Sequence, residues 1–291
     1  MLKNSLPQSS SSFFKTLLLM VLAPFILYHQ AVTAQDDSQN NAENTGDINF
    51  YLPFNATLEP QLPGNLSTVL QAQGLTNINI QSADYWQLYL SSVQRGNVGL
   101  YWVAPHFAAW LIHKHQFVPL LKLEPPLEYS VVTRKDDFVI FSLADLKGKQ
   151  ICSQHAMNLD FLLASELFEE MANPPSRAVT WDVAARFAAD DTRCDAFVVS
   201  NTVLQRVAST RPEHWIKLHT SPPFTNYSLV AHPSFTKKTI DSFSRAMNSQ
   251  AMRDAMSPIW FDHADDGSMN SAQKTDYPIG LIAPLTQTWE P

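Results

Sequence analysis

The chain has 291 residues, 45% hydrophobic and 16% charged, a length that fits one large domain or two medium ones around a substantial core. Its 20 Lys and Arg against 27 Asp and Glu give a net charge of −7, which argues against a nucleic-acid binder held by a basic surface. The 8 glycines never fall in a G-x-G-x-x-G or G-x-x-x-x-G-K-[ST] pattern, so the two common phosphate-cradling loops are absent.

The chain opens with Lys3 and Lys15 around a Ser-rich stretch, then an apolar run and Ala31-Val32-Thr33-Ala34. A positive start, an apolar middle and small residues at the exit make 1–34 a signal peptide cleaved on export. An uncleaved anchor is the alternative, although the run is short for a span of about 20 residues and contains Pro24. Residues 35–46 are polar and read as a disordered leader.

From Asp47 onward, strand-like and helix-like segments alternate. Strands are expected at 48–54, 77–83 and 98–104, and helices at 60–74, 84–96 and 105–115. Gly74 and Gly96 stop the first two helices, and Pro105 starts the third. A second run follows, with strands at 127–137, 150–154, 177–181 and 195–200. Helical pieces at 143–149, 159–172 and 182–190 separate them. A strand at 227–233 leads to helices reaching Met256. Such alternation implies mostly parallel sheets covered on both faces. Cys152 and Cys194 fall near the starts of two strands of one sheet, where a bridge is geometrically reasonable. In an oxidising compartment they are expected to pair, with two buried free thiols as the alternative. Neither has a C-x-x-C partner, so a zinc site is not expected.

The wording of four segments carries a family resemblance. ADYWQLYLSSVQRGNVGLYWVAPHFAAWLI (83–112) resembles the first-lobe segment of periplasmic solute-binding proteins of the phosphate/phosphite/phosphonate ABC-transporter type. FSLADLKGKQICS (141–153) is similar to the S-L-x-D-L-K-G-K run that leads into the second lobe. TWDVAARFAADDTRCDAFVVSNTVL (180–204) and SPPFTNYSLVAHPSF (221–235) resemble two later stretches, the second being the return crossing. The resemblance covers roughly 47 to 260 and implies an α/β, two-lobed type 2 periplasmic binding protein fold. Lobe one is then 47–126, lobe two 127–220 with hinge crossings at both ends, and 221–291 the return to lobe one with a C-terminal tail. Solute would bind between the lobes, which close by a hinge motion.

Ligands of α/β sheets lie beyond the carboxyl ends of the strands. The expected ligand-binding residues are therefore Tyr85, Trp102, His106, His155, Asn158, Thr180, Trp181, Asp182 and Ser200. The helix starts after Ala104 and His155 offer backbone N–H groups to an anion. Phosphonate-binding members of the family carry a Ser-Thr-Ser-Gly type turn where this chain has HAMNLD (155–160), with neither hydroxyl nor glycine. Aromatic residues beside Asp84 and Asp182 favour a cationic or amine-bearing group instead. Trp102 and Trp181 also fit as core aromatics, and Asp84 and Asp182 as helix caps. His113-Lys114-His115 sits near a helix end, where solvated positions favoured by the dipole are a better reading than a metal site.

No G-x-S-x-G elbow or H-E-x-x-H occurs, which leaves a hydrolase as the weakest alternative. The expected partners are a small-molecule ligand and either an ABC permease or a membrane sensor protein. No cofactor, metal or nucleic acid is expected, and the protein should act as a monomer in the periplasm.

Overall fold

The structure is a computed structural model, and it describes residues 47–290 apart from 55–56, 58, 83–85, 137–138, 155–156, 170, 172, 181, 212 and 265. The signal peptide, the leader and the candidates Tyr85, His155 and Trp181 lie outside the described residues.

The first lobe begins with β1 (Ile48–Tyr51), which buries Ile48 and Phe50 and leaves Asn49 and Tyr51 half-buried. Helix α1 (Leu62–Ala72) places Leu62, Leu66 and Leu70 on one stripe at four-residue spacing, and all three are buried. Each such leucine contributes about 1.5–3 kcal/mol of burial. Strand β2 (Ile78–Gln81) is followed by α2 (Trp86–Arg95), which buries Trp86, Tyr89 and Val93. Strand β3 (Leu100–Val103) is buried at every position. Helix α3 (Pro105–His115) buries residues 105 through 112, the profile of a helix enclosed on all sides. Strand β4 (Val118–Leu123) completes the outgoing half of the lobe.

The second lobe runs from β5 (Tyr129–Arg134) through a 3-10 turn at Leu143–Leu146 to β6 (Gln150–Ser153) and α4 (Leu159–Phe168). Then come β7 (Ser176–Val179), α5 (Val183–Ala188), β8 (Ala196–Ser200), α6 (Asn201–Thr210) and β9 (Trp215–Thr220). The chain returns to the first lobe as β10 (Ser228–Ala231), α7 (Lys237–Met247), α8 (Gln250–Trp260) and β11 (Met269–Ser271). It ends in a 3-10 turn at Ile279–Ile282 and α9 (Ala283–Trp289).

The strands form two sheets, ordered β11-β4-β10-β3-β1-β2 and β7-β6-β8-β5-β9. Each sheet is mixed. β1, β2 and β3 pair in parallel, as do β6, β7 and β8. The strands flanking the two crossings pair antiparallel, β10 with β3 and β4, and β5 with β8 and β9. Strand–helix alternation implies more parallel pairing than this. The difference arises because the chain passes between sheets twice without a crossover helix, and such connections do not impose parallel pairing. The crossings run side by side: Leu127 and Phe224 exchange backbone hydrogen bonds of 2.8 Å each way.

Cys152 and Cys194 form a disulfide, with their Cα atoms 5.7 Å apart and both residues buried. The bridge joins β6 to the turn just before β8, its parallel neighbour in the sheet. Segments that the sequence reading left unassigned fold as β4, α6, β9, β11 and α9. Of these, β4 carries Pro119 in its second position, a residue that ordinarily argues against a strand.

Candidate functional site

Where β3 ends, Ala104 is extended and Pro105 takes the first helical position of α3, carrying His106 toward the second lobe. His106 is fully buried. Its Nε2 donates to the carbonyl of Met157, 2.9 Å away, in the turn that precedes α4. A carbonyl only accepts, so the ring proton sits on Nε2 and Nδ1 is left as an acceptor. Nδ1 has no hydrogen-bond partner within the protein. Burial holds the ring neutral and lowers its pKa to about 4, against a smaller upward pull from the Met157 carbonyl. This bond ties the start of a first-lobe helix to the start of a second-lobe helix.

Asp160 is the second residue of α4 and is fully buried. Its Oδ2 accepts from the Gln154 N–H at 2.6 Å, and its Oδ1 has no partner. Burial raises its pKa to about 7, while backbone N–H groups of Gln154 and Phe161 pull the other way. The N-terminal turn of α4, which the sequence suggests as an anion seat, thus already carries a carboxylate of this chain.

Around Asp160 lie three aromatic groups on other elements. Tyr129 opens β5, and its hydroxyl is buried without a partner. Burial pushes that phenol well above its ordinary pKa, and Tyr227 and the carboxylates of Asp160 and Asp262 add to the effect. Tyr227, just before β10, stacks on His263 with ring centroids 4.3 Å apart. His263 has an unpartnered Nδ1, and burial lowers its pKa to about 4. Tyr129, Gln154, Asp160, Ser200, Asp262 and His263 all border one cavity of about 10 Å³. Tyr129 and Val198 also border a much larger groove of about 1230 Å³. Leu162, Leu163 and Leu167 of α4 form one wall of that groove, and Leu281 and Pro284 the other.

The sequence candidates divide in their surroundings. Trp102 is fully buried in β3 opposite Leu229, with its indole N–H unpartnered. Asn158 is 7% exposed at the N-cap of α4 and donates to the Gln154 side chain at 3.3 Å. Ser200 caps α6 by accepting from the Val203 N–H, and its hydroxyl donates to the Asp262 carbonyl. Thr180 donates to Asp182, which also accepts from Arg186 at 3.0 Å, so these two serve each other at the start of α5. His106 and Asn158 therefore lie at the junction of the lobes, whereas Thr180 and Asp182 form a local cap. His113 and His115 are not solvated: each donates from Nε2 to a backbone carbonyl, of Tyr277 and Gln94 respectively. Tyr129, Asp160, Tyr227, Asp262 and His263 are the polar residues of the junction that strand-end reasoning did not identify.

Residues 61–277 match the model of a family described as ABC transporter, phosphonate, periplasmic substrate-binding protein. The chain belongs to this family. Its members are substrate-binding proteins of transporters rather than enzymes. Among solved structures, this phosphonate-type binding protein is similar to PhnD1 from Prochlorococcus marinus in complex with methylphosphonate. That similarity has a TM-score of 0.62 at 11% identity, covering 84% of this chain and 98% of the other. A binding protein component of an ABC phosphonate transporter from Pseudomonas aeruginosa gives 0.60 at 12% identity, over 84% and 88%. A Xanthomonas citri protein bound to chloride ion gives 0.60 at 14% identity, over 84% and 98%. At these identities the likeness shows the two-lobed fold alone. No curated protein matches by sequence.

Proposed function

We propose that this protein is exported to the periplasm, captures a small polar solute between its two lobes and presents it to the permease of an ABC importer. The solute is phosphonate-like or amine-containing. The lobes correspond to 47–126 with 221–291, and to 127–220, and the protein acts as a monomer. One observation carries the reading. His106 Nδ1, Tyr129 Oη, Asp160 Oδ1 and His263 Nδ1 are all buried without partners around the junction of the lobes. A buried polar atom left without a hydrogen bond costs about 1–3 kcal/mol, and folded proteins seldom tolerate several together. A bound solute that supplies the missing bonds offsets that cost, and the site is thereby selective for polar chemistry.

The family membership supports the solute-binding role, and the methylphosphonate complex of the Prochlorococcus protein illustrates one solute of the stated size. His106 and Asn158 are the sequence candidates we retain at the contact. Tyr85, His155 and Trp181 remain proposed on sequence grounds. Calorimetric titration of the purified mature protein with phosphate, alkylphosphonates, aminoalkylphosphonates and small amines tests the reading. Binding of at least one member, weakened by His106→Ala, is the expected result. A panel without any binder, or one whose binding ignores His106→Ala, contradicts it.

A further inference from the structure

We infer that the cavity bordered by Tyr129, Asp160 and His263 is a seat for a primary ammonium group, so the protein prefers amine-bearing solutes to their deaminated counterparts. This rests on the solute-binding reading above and names the chemistry of one end of that solute.

Three unpartnered atoms face the cavity: a carboxylate oxygen of Asp160, the phenol oxygen of Tyr129 and Nδ1 of His263. The residues are 0%, 4% and 6% exposed, so water at the surface does not serve them. All three atoms can accept hydrogen bonds, His263 while its ring is neutral with the proton on Nε2. An ammonium head has three N–H donors and no acceptor, which matches that set. The cavity of about 10 Å³ suits a group the size of one water molecule, and an –NH3+ head has that size.

Charge points the same way. The other carboxylate at the cavity, Asp262, has Arg206 within 3.4 Å. Asp160 meets backbone N–H groups alone and is the charge left for the solute. A phosphonate group placed here would confront that carboxylate at close range. The rest of the solute has a route outward, because Tyr129 and Val198 border both the seat and the groove of about 1230 Å³.

The groups that face Asp160 are Tyr129 on β5, Tyr227 before β10, and Asp262 and His263 in the turn after α8, with Arg206 of α6 behind Asp262. None of them supplies a positive charge directly to Asp160 in the neutral range. Its protonation near pH 7 therefore competes with ammonium binding, and amine affinity falls as pH drops below that point.

The test is calorimetry with matched pairs that differ only in the amine: 3-aminopropylphosphonate against propylphosphonate, and β-alanine against propionate. Wild type, Asp160→Asn and Tyr129→Phe are titrated at pH 5 and pH 8. One charge-assisted hydrogen-bonded contact is worth about tenfold or more in affinity, so the amine member should bind at least that much tighter at pH 8. Asp160→Asn should erase the preference while leaving any propylphosphonate binding in place, and pH 5 should weaken only the amine members. Tyr129→Phe, a conservative change, should reduce the preference without loss of fold by circular dichroism. Equal or tighter binding of the deaminated members, or a preference that survives Asp160→Asn, overturns the ammonium seat while leaving a solute-binding protein. Failure of every solute in both pairs and in the wider panel overturns both.

Discussion

Replacing Asp160 by asparagine removes a carboxylate that the fold buries completely while keeping an oxygen to accept the Gln154 N–H. The pKa of Asp160 rises from 3.8 to about 7 on folding. A group raised in this way stabilises the fold fully below its unfolded pKa, and the contribution is lost as pH climbs through the folded value. At 1.36 kcal/mol per pH unit, a rise of about three units gives about 4 kcal/mol lost between pH 4 and 7.5. His106 and His263 act oppositely. Each falls from 6.5 to about 4 on folding, so each adds about 3 kcal/mol of stability as pH rises over that interval. Wild-type stability should therefore climb from pH 4 to 6.5, then ease slightly toward pH 7.5. The Asp160→Asn variant should climb more steeply and not ease. Urea unfolding followed by tryptophan fluorescence across pH 4–8 gives both curves. The variant-minus-wild-type difference should grow by about 4 kcal/mol toward high pH. A difference that stays constant, or shrinks, would refute the idea that Asp160 is a desolvated acid.

Tyr129→Phe removes a buried hydroxyl that has no partner, so the protein should gain up to about 1–3 kcal/mol in urea unfolding while binding its solute less tightly. A loss of stability would mean that the hydroxyl is satisfied. The double change Cys152→Ser with Cys194→Ser opens a loop with a sequence separation of 42. In the chain-entropy treatment it should cost about 4 kcal/mol by the same assay, and dithiothreitol should reproduce that loss in the wild type. Gly96→Ala should lower stability by about 1–3 kcal/mol. Gly96 has φ +62, and a methyl there would run into the His115 ring, held in place by its bond to the Gln94 carbonyl. An unchanged melting temperature would show that the turn relaxes freely.

Much of the fold was legible because its signals are local. Pro105 and the apolar run after it mark α3 over the same residues that the structure gives, and Gly74 and Gly96 stop their helices with φ of +80 and +62. The α4 stretch was legible as a helix, but not its length, because residues after Phe168 leave the helix without a glycine to mark the stop. Strands β4 and β9 were missed since they lie outside the strand–helix rhythm and gain their partners only after the chain crosses between sheets.

The site was legible only as a set of strand ends. That reasoning found His106 and Asn158 because both stand in the first turns after a parallel strand. It also selected Thr180, Asp182 and Ser200, whose polar atoms the structure commits to helix starts and to the Asp262 carbonyl. Asp160 escaped notice because an acid in the first turn of a helix is ordinarily a dipole-favoured surface residue. Its meaning comes from burial, which depends on Tyr129, Tyr227 and the 262–263 turn arriving from distant parts of the chain. His263 sits in a polar-looking WFDHADDG stretch that gives no hint of a stacked, buried ring.

The most direct test of solute capture between the lobes is hydrogen–deuterium exchange, with and without the tightest-binding solute of the panel. Added solute should protect the backbone at 104–108, 157–162 and 261–264, together with the crossings near Leu127 and Phe224. Protection confined to other surfaces, or none at saturating solute, would contradict a binding site at the junction of the two sheets.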